Sequence, residues 1–79
     1  MSELIESVHA LVIDGDIPAK TIASAIGKPY STLLRECNPY DKGAKLSAET
    51  FMAILKATGN PQPLEVIARE LGYKLIPID

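Results

Sequence analysis

The stretch Ala19 to Asn38, AKTIASAIGKPYSTLLRECN, constrains this chain most, because two short helical patterns meet in it at a sharp reversal. The reversal is Ile26-Gly27-Lys28, with Ala23 one helical turn before the glycine. Gly27 supplies the positive φ that such a turn needs. A small side chain at Ala23 lets two crossing helices approach closely. Pro29 can only begin a helix, so the next one starts near Lys28 to Tyr30. Asn38-Pro39 closes that helix, since the residue before a proline is pushed out of helical angles. Both helices are therefore short, and the second runs from Tyr30 to about Cys37.

The flanking segments read as support for this pair. Ser2 is placed to cap a first helix, with Glu3 and Glu6 in its opening turn and a stripe of Leu4, Ile5, Val8, Leu11 and Val12. Asp14-Gly15-Asp16 ends it, with Gly15 expected in a left-handed C-terminal conformation. Pro18 suits the first position of the second helix, whose inner face carries Ala19, Ile22, Ala23 and Ile26. After a loop from Asn38 to Lys45, Ser47 caps a fourth helix with Phe51, Ile54 and Leu55 inward and Met52 on the flank; Gly59-Asn60 stops it. Pro61-Gln62-Pro63 reads as a rigid connector to a fifth helix, Leu64 to Leu71, with Leu64, Ile67, Ala68 and Leu71 inward and Gly72 at its end. The tail Tyr73 to Ile78 is too short for an independent strand and is expected to pack on the bundle or pair with another chain.

The result is one all-α domain over residues 1–79, a five-helix bundle with a helix-turn-helix at its second and third helices and a tail at about 73–79. A chain of 79 residues buries only roughly 60–65% of its unfolded surface. There is no Trp, and the aromatics are Tyr30, Tyr40, Phe51 and Tyr73, so the core is expected to be aliphatic. A single cysteine, Cys37, excludes an intramolecular disulfide and fits a reducing cytoplasm. No apolar run approaches the ~18–20 residues needed to cross a bilayer. Acidic Glu3 and Glu6 stand where a signal peptide carries Lys or Arg. A cytoplasmic protein without a membrane partner is expected.

Net charge is −2, and its distribution matters more than its sum. Residues 1–16 carry Glu3, Glu6, Asp14 and Asp16 and no base, a total of −4. Residues 17–45 carry Lys20, Lys28, Arg35, Lys42 and Lys45 against Glu36 and Asp41, a total of +3. The remainder sums to −1. Positive charge thus sits on and just after the helix pair, where contacts to phosphate would be wanted.

Enzymatic chemistry has little to stand on. Cys37 and His9 form no nucleophile and base constellation with an orienting carboxylate, and Cys37 reads as a small buried apolar residue. No metal-ligand cluster, phosphate loop or nucleotide fingerprint is present. Neither a cofactor nor a small-molecule substrate is expected. The outward set of the third helix suits duplex DNA better. Tyr30, Ser31, Thr32 and Arg35 offer hydroxyls and a guanidinium for phosphates or base edges, Arg35 can fork onto guanine, and Lys28, Lys42 and Lys45 can hold phosphates. One short recognition helix reads few base pairs, so a symmetric dimer is expected. The alternative is a small helical interaction module, adaptor-like or antitoxin-like, that uses the same exposed helix on another protein without binding DNA.

Several short runs also carry a family resemblance. They are Ile22-Ala23, Ile26-Gly27, Leu33-Leu34-Arg35-Glu36-Cys37-Asn38-Pro39, Lys45-Leu46-Ser47, Ala57-Thr58-Gly59-Asn60 and the closing Leu71-Gly72. Together, over nearly the whole chain, they resemble the CII-type regulatory proteins of temperate phages. The resemblance implies a lambda-repressor-like fold and a dimeric or tetrameric transcriptional regulator of phage or prophage origin. It also implies that Tyr30, Ser31, Thr32 and Arg35 face DNA and that Asn38-Pro39 terminates the recognition helix.

Overall fold

The computed structural model of the protein describes residues 3–41 and 43–78. Five helices follow in order, α1 (Glu3–Asp14), α2 (Ala19–Ile26), α3 (Tyr30–Cys37), α4 (Ala48–Thr58) and α5 (Gln62–Leu71), with no strand among the described residues. The all-α, five-helix architecture expected from the periodicity is the observed one. None of these helices is long and apolar enough to cross a membrane. The proposed cap Ser2 lies outside the described residues.

α1 and α2 organise the bundle: α1 packs on α2, α3 and α5, while α2 also carries α3 and α4. Their shared core is Val8, Val12, Ile22, Ala23, Leu33, Cys37 and Ile54. It is aliphatic apart from the thiol, and the aromatic Phe51 reaches only its margin. The two valines of α1, one turn apart, and Leu33 with Cys37 of α3 follow helical spacing, so each helix turns a single stripe inward.

The turn between α2 and α3 forms as the sequence demands. Gly27 takes φ 72°, and the amides of Gly27 and Lys28 donate to the carbonyls of Ser24 (3.3 Å) and Ala23 (3.0 Å). These bonds satisfy carbonyls that the end of a helix leaves unpaired. Ala23 is buried against the neighbouring helices, as its size suggested. Pro18 and Pro29 each sit one residue earlier than the first helical position, at the N-cap, with extended ψ near 140°.

Three expectations are corrected. Gly15 is not left-handed; the positive-φ glycines are Gly27, Gly59 and Gly72. Gly15 is needed because a Cβ there would collide with the Leu11 backbone carbonyl. The connector Pro61-Gln62-Pro63 is not a separate spacer, since α5 already starts at Gln62. Asn60 Oδ1 accepts from the Gln62 amide at 2.9 Å, and a proline in the first helical turn loses no bond. Finally, α5 buries Pro63 and Val66, while Leu64 and Leu71 face solvent, Leu71 with 69% of its surface exposed. Ile67 and Ala68, also expected inside, are half-buried, so the inward face is turned toward Pro63 and Val66 and leaves out the two leucines.

Candidate nucleic-acid interface

The α3 helix is eight residues long, about 12 Å, which is close to the width of the DNA major groove. Leu33 and Cys37 anchor its inner side in the core. Burial pushes the Cys37 thiol up to about 11, reinforced by the Glu36 charge and opposed by Lys28, so the thiol stays protonated and serves as core. The opposite side carries Ser31 and Arg35, both exposed, with Thr32 and Leu34 half-buried on the flanks. Pro29 gives the helix no side-chain cap, so its first N–H groups and the positive end of its dipole are left for an outside acceptor.

Arg35 is 63% exposed yet held in place. Its Nε donates to Asp41 Oδ2 at 3.1 Å. Asp41 is itself fixed by a loop: its Oδ1 accepts from the Gly43 amide at 2.9 Å, and its own amide donates to the Asn38 carbonyl at 3.2 Å. Asn38 Oδ1 accepts from the Tyr40 amide (2.9 Å), which tightens the same turn. The hydrogen bonds from Arg35 and then Gly43 hold the Asp41 carboxyl below its usual value. The bond uses Nε, and Nη2 lies beside Gly43 of the same loop, 3.7 Å from where a Cβ on that glycine would stand.

The other nominated residues divide. Tyr30 opens α3 at the surface, and the Lys20 ammonium of α2 lies 5.5 Å from its ring centroid, within cation–π range. Lys28 is not a free cation: its Nζ lies 3.0 Å from Glu36 Oε1 and donates to Oε2 at 3.2 Å, with both side chains mostly buried. This pair ties the turn to the far end of α3. Lys45 is exposed at the C-terminal end of α3, beside a shallow depression that also includes Glu36, Asn38 and Asp41. Lys42 lies outside the described residues.

Tyr30, Ser31 and Arg35 therefore share one exposed helix, with Lys20 near its start and Lys45 near its end, while Lys28 is diverted to structure. Sequence reasoning counted Lys20, Glu36 and Asp41 in the charge balance but gave them no place in the site. Lys28 precedes the helix, so helical spacing does not connect it with Glu36. The Asp41 contact depends on how the loop folds back. For Lys20 a signal was present, since the residue falls on the polar side of α2 in the same register that puts Ile22 and Ala23 inside.

Residues 3–79 match the family described as phage regulatory protein CII (CP76), and the chain belongs to that family. No curated protein and no solved structure matches it.

Proposed function

We propose that this member of the phage regulatory protein CII family is a helix-turn-helix transcriptional regulator that works in the cytoplasm as a dimer or higher oligomer, placing α3 in the major groove of duplex DNA. The observation that carries the reading is the exposed Arg35 on the outward face of α3, oriented through Nε by Asp41. A guanidinium held at Nε still carries donors on its terminal nitrogens, and a pair of such donors is what guanine O6 and N7 accept. Ser31 and Thr32, with the uncapped N–H groups of the helix start, suit a phosphate, as do Lys45 and Lys20 at the two ends. Lys28 contributes by bracing α3 through Glu36. Lys42 belongs to the same set on sequence grounds.

Titration of a labelled mixed-sequence duplex against salt tests the reading. Affinity is expected to fall steeply as salt rises, because each phosphate contact releases counterions. A flat or absent response removes DNA as the ligand. Arg35→Ala is expected to lose about 1–3 kcal/mol of affinity on the preferred site if the side chain reads a base. Unchanged affinity would exclude that role. The competing reading, a protein-interaction module, draws on the fact that Lys28 and Arg35 already have acidic partners. The same titration separates the two.

A further inference from the structure

The two last helices follow one another in sequence yet pack on different neighbours, α4 on α2 and α5 on α1. Between them runs a groove of about 600 Å³, with Phe51, Met52 and Leu55 along one wall, Pro61 and Leu64 along the other, and Lys56 at its edge. Met52 is 58% exposed there. A second uncovered apolar surface lies on the same chain. Beyond α5, residues 73–78 continue without regular structure, and Tyr73, Ile76 and Ile78 are exposed.

The total surface gives these two features a scale. The protein exposes 5550 Å². A folded monomer of 8.5 kDa is expected to expose roughly 4,700 Å². The excess, roughly 900 Å², is close to the ~800 Å² that each partner contributes to an interface of standard size.

We infer that the groove between α4 and α5 receives the apolar tail, Ile76-Pro77-Ile78, of a second copy of this chain, and that the exchange is reciprocal. Pro77 fixes its own φ and holds Ile76 extended, so the tail loses little entropy on docking. In an extended chain Ile76 and Ile78 project to one side and enter the groove together. The tail leaves from the C-terminal end of α5, whereas Pro61 and Leu64 line the groove at its N-terminal end, nearly the ~15 Å length of the helix away. In the single chain both surfaces stay uncovered; in a two-fold pair each covers the other, twice. α3 packs on α1 and α2, so the exchange leaves its outward face open.

This deepens the oligomeric part of the proposed function but does not depend on DNA, and the test contains none. Light scattering coupled to size exclusion is expected to give twice the 8.5 kDa chain mass for the unaltered protein. The double variant Ile76→Asp, Ile78→Asp and the single variant Met52→Glu alter exposed side chains only, so each is expected to keep its helical circular dichroism and fall to the single-chain mass. Oxidation of Met52→Cys, Ile78→Cys is expected to give a covalent dimer on a non-reducing gel; the native Cys37 is buried and does not interfere. A monomeric parent protein, variants that keep the doubled mass, or a disulfide closed within one chain would each overturn the inference.

Discussion

The protein contains two helix pairs whose turns are spelled alike. Gly27-Lys28-Pro29 joins α2 to α3, and Gly59-Asn60-Pro61 joins α4 to α5. Both glycines are left-handed, at φ 72° and 66°. The outcomes differ because the prolines differ in ψ. Pro29 is extended, with ψ 140°, and swings α3 across α2 over the small Ala23. Pro61 has ψ 7° and leads directly into α5, which settles on α1 and leaves a gap beside α4. The first pair closes on itself and presents a polar outer face. The second pair stays open and apolar. Local turn chemistry thus specifies where a helix stops, while the packing partners decide where the next one goes.

The largest expected effect tests whether the closed pair is welded to the core and the open pair is not. Leu33→Ala removes a fully buried side chain from the centre of α3 and is expected to cost about 2–5 kcal/mol. Leu64→Ala, on the groove wall of α5, is expected to change monomer stability by no more than about 0.5 kcal/mol. Urea denaturation in the Met52→Glu background, which is expected to be monomeric, measures both without a contribution from association. Similar losses at the two sites would remove the distinction between the pairs.

A smaller effect probes what the turns share. A Cβ at Gly27 or at Gly59 meets no atom within 4 Å, so substitution there acts through backbone conformation alone. Gly27→Ala and Gly59→Ala are each expected to destabilise by about 1–2 kcal/mol, the cost of a left-handed residue with a side chain. Near-equal losses in thermal unfolding would show that the turns are equivalent and that the divergence starts after them. A clearly larger loss at Gly27 would place part of the closed geometry in the turn itself.

This contrast also explains which features were legible in the sequence. Stops were legible, because Gly27, Gly59 and Asn38-Pro39 act through steric rules on one or two residues. The Ser47 cap was legible for the same reason, and its Oγ accepts from the Thr50 amide at 3.1 Å. Faces were legible where a helix has a single apolar stripe, as in α1, α2 and α3. They were only half legible in α5, where Leu64, Ile67, Ala68 and Leu71 repeat as regularly as a core stripe, yet the position of α1 buries Pro63 and Val66, keeps Ile67 and Ala68 half-buried and leaves the two leucines outside. At the candidate interface, the outward placement of Ser31 and Arg35 follows from the burial of Leu33 and Cys37. The pairing of Lys28 with Glu36 and of Arg35 with Asp41 depends on how loops close in space, and no local pattern encodes that.

The smallest expected effect sharpens the comparison through pH. The far end of α3 is latched by a charge, with Asp41 accepting from Arg35 and from the Gly43 amide. The starts of α4 and α5 are capped by neutral groups, Ser47 on Thr50 and Asn60 on Gln62. Acid should therefore loosen the Asp41 latch and spare the Ser47 and Asn60 caps. The Asp41 carboxyl is held below its usual value, first by the Arg35 hydrogen bond and then by Gly43. Its contribution is accordingly complete above the ordinary aspartate range and is lost as pH falls through the lowered value. Carboxyl carbon shifts followed by NMR are expected to give Asp41 a midpoint below that of an unpaired aspartate, and the Gly43 amide shift is expected to move with it. The Gln62 and Thr50 amides are expected to stay fixed over the same range. In Arg35→Ala the Asp41 midpoint is expected to rise toward the ordinary range. A midpoint unmoved by that substitution would show that the loop, and not the guanidinium, holds Asp41, and Arg35 would then be free to turn instead of being fixed against the loop.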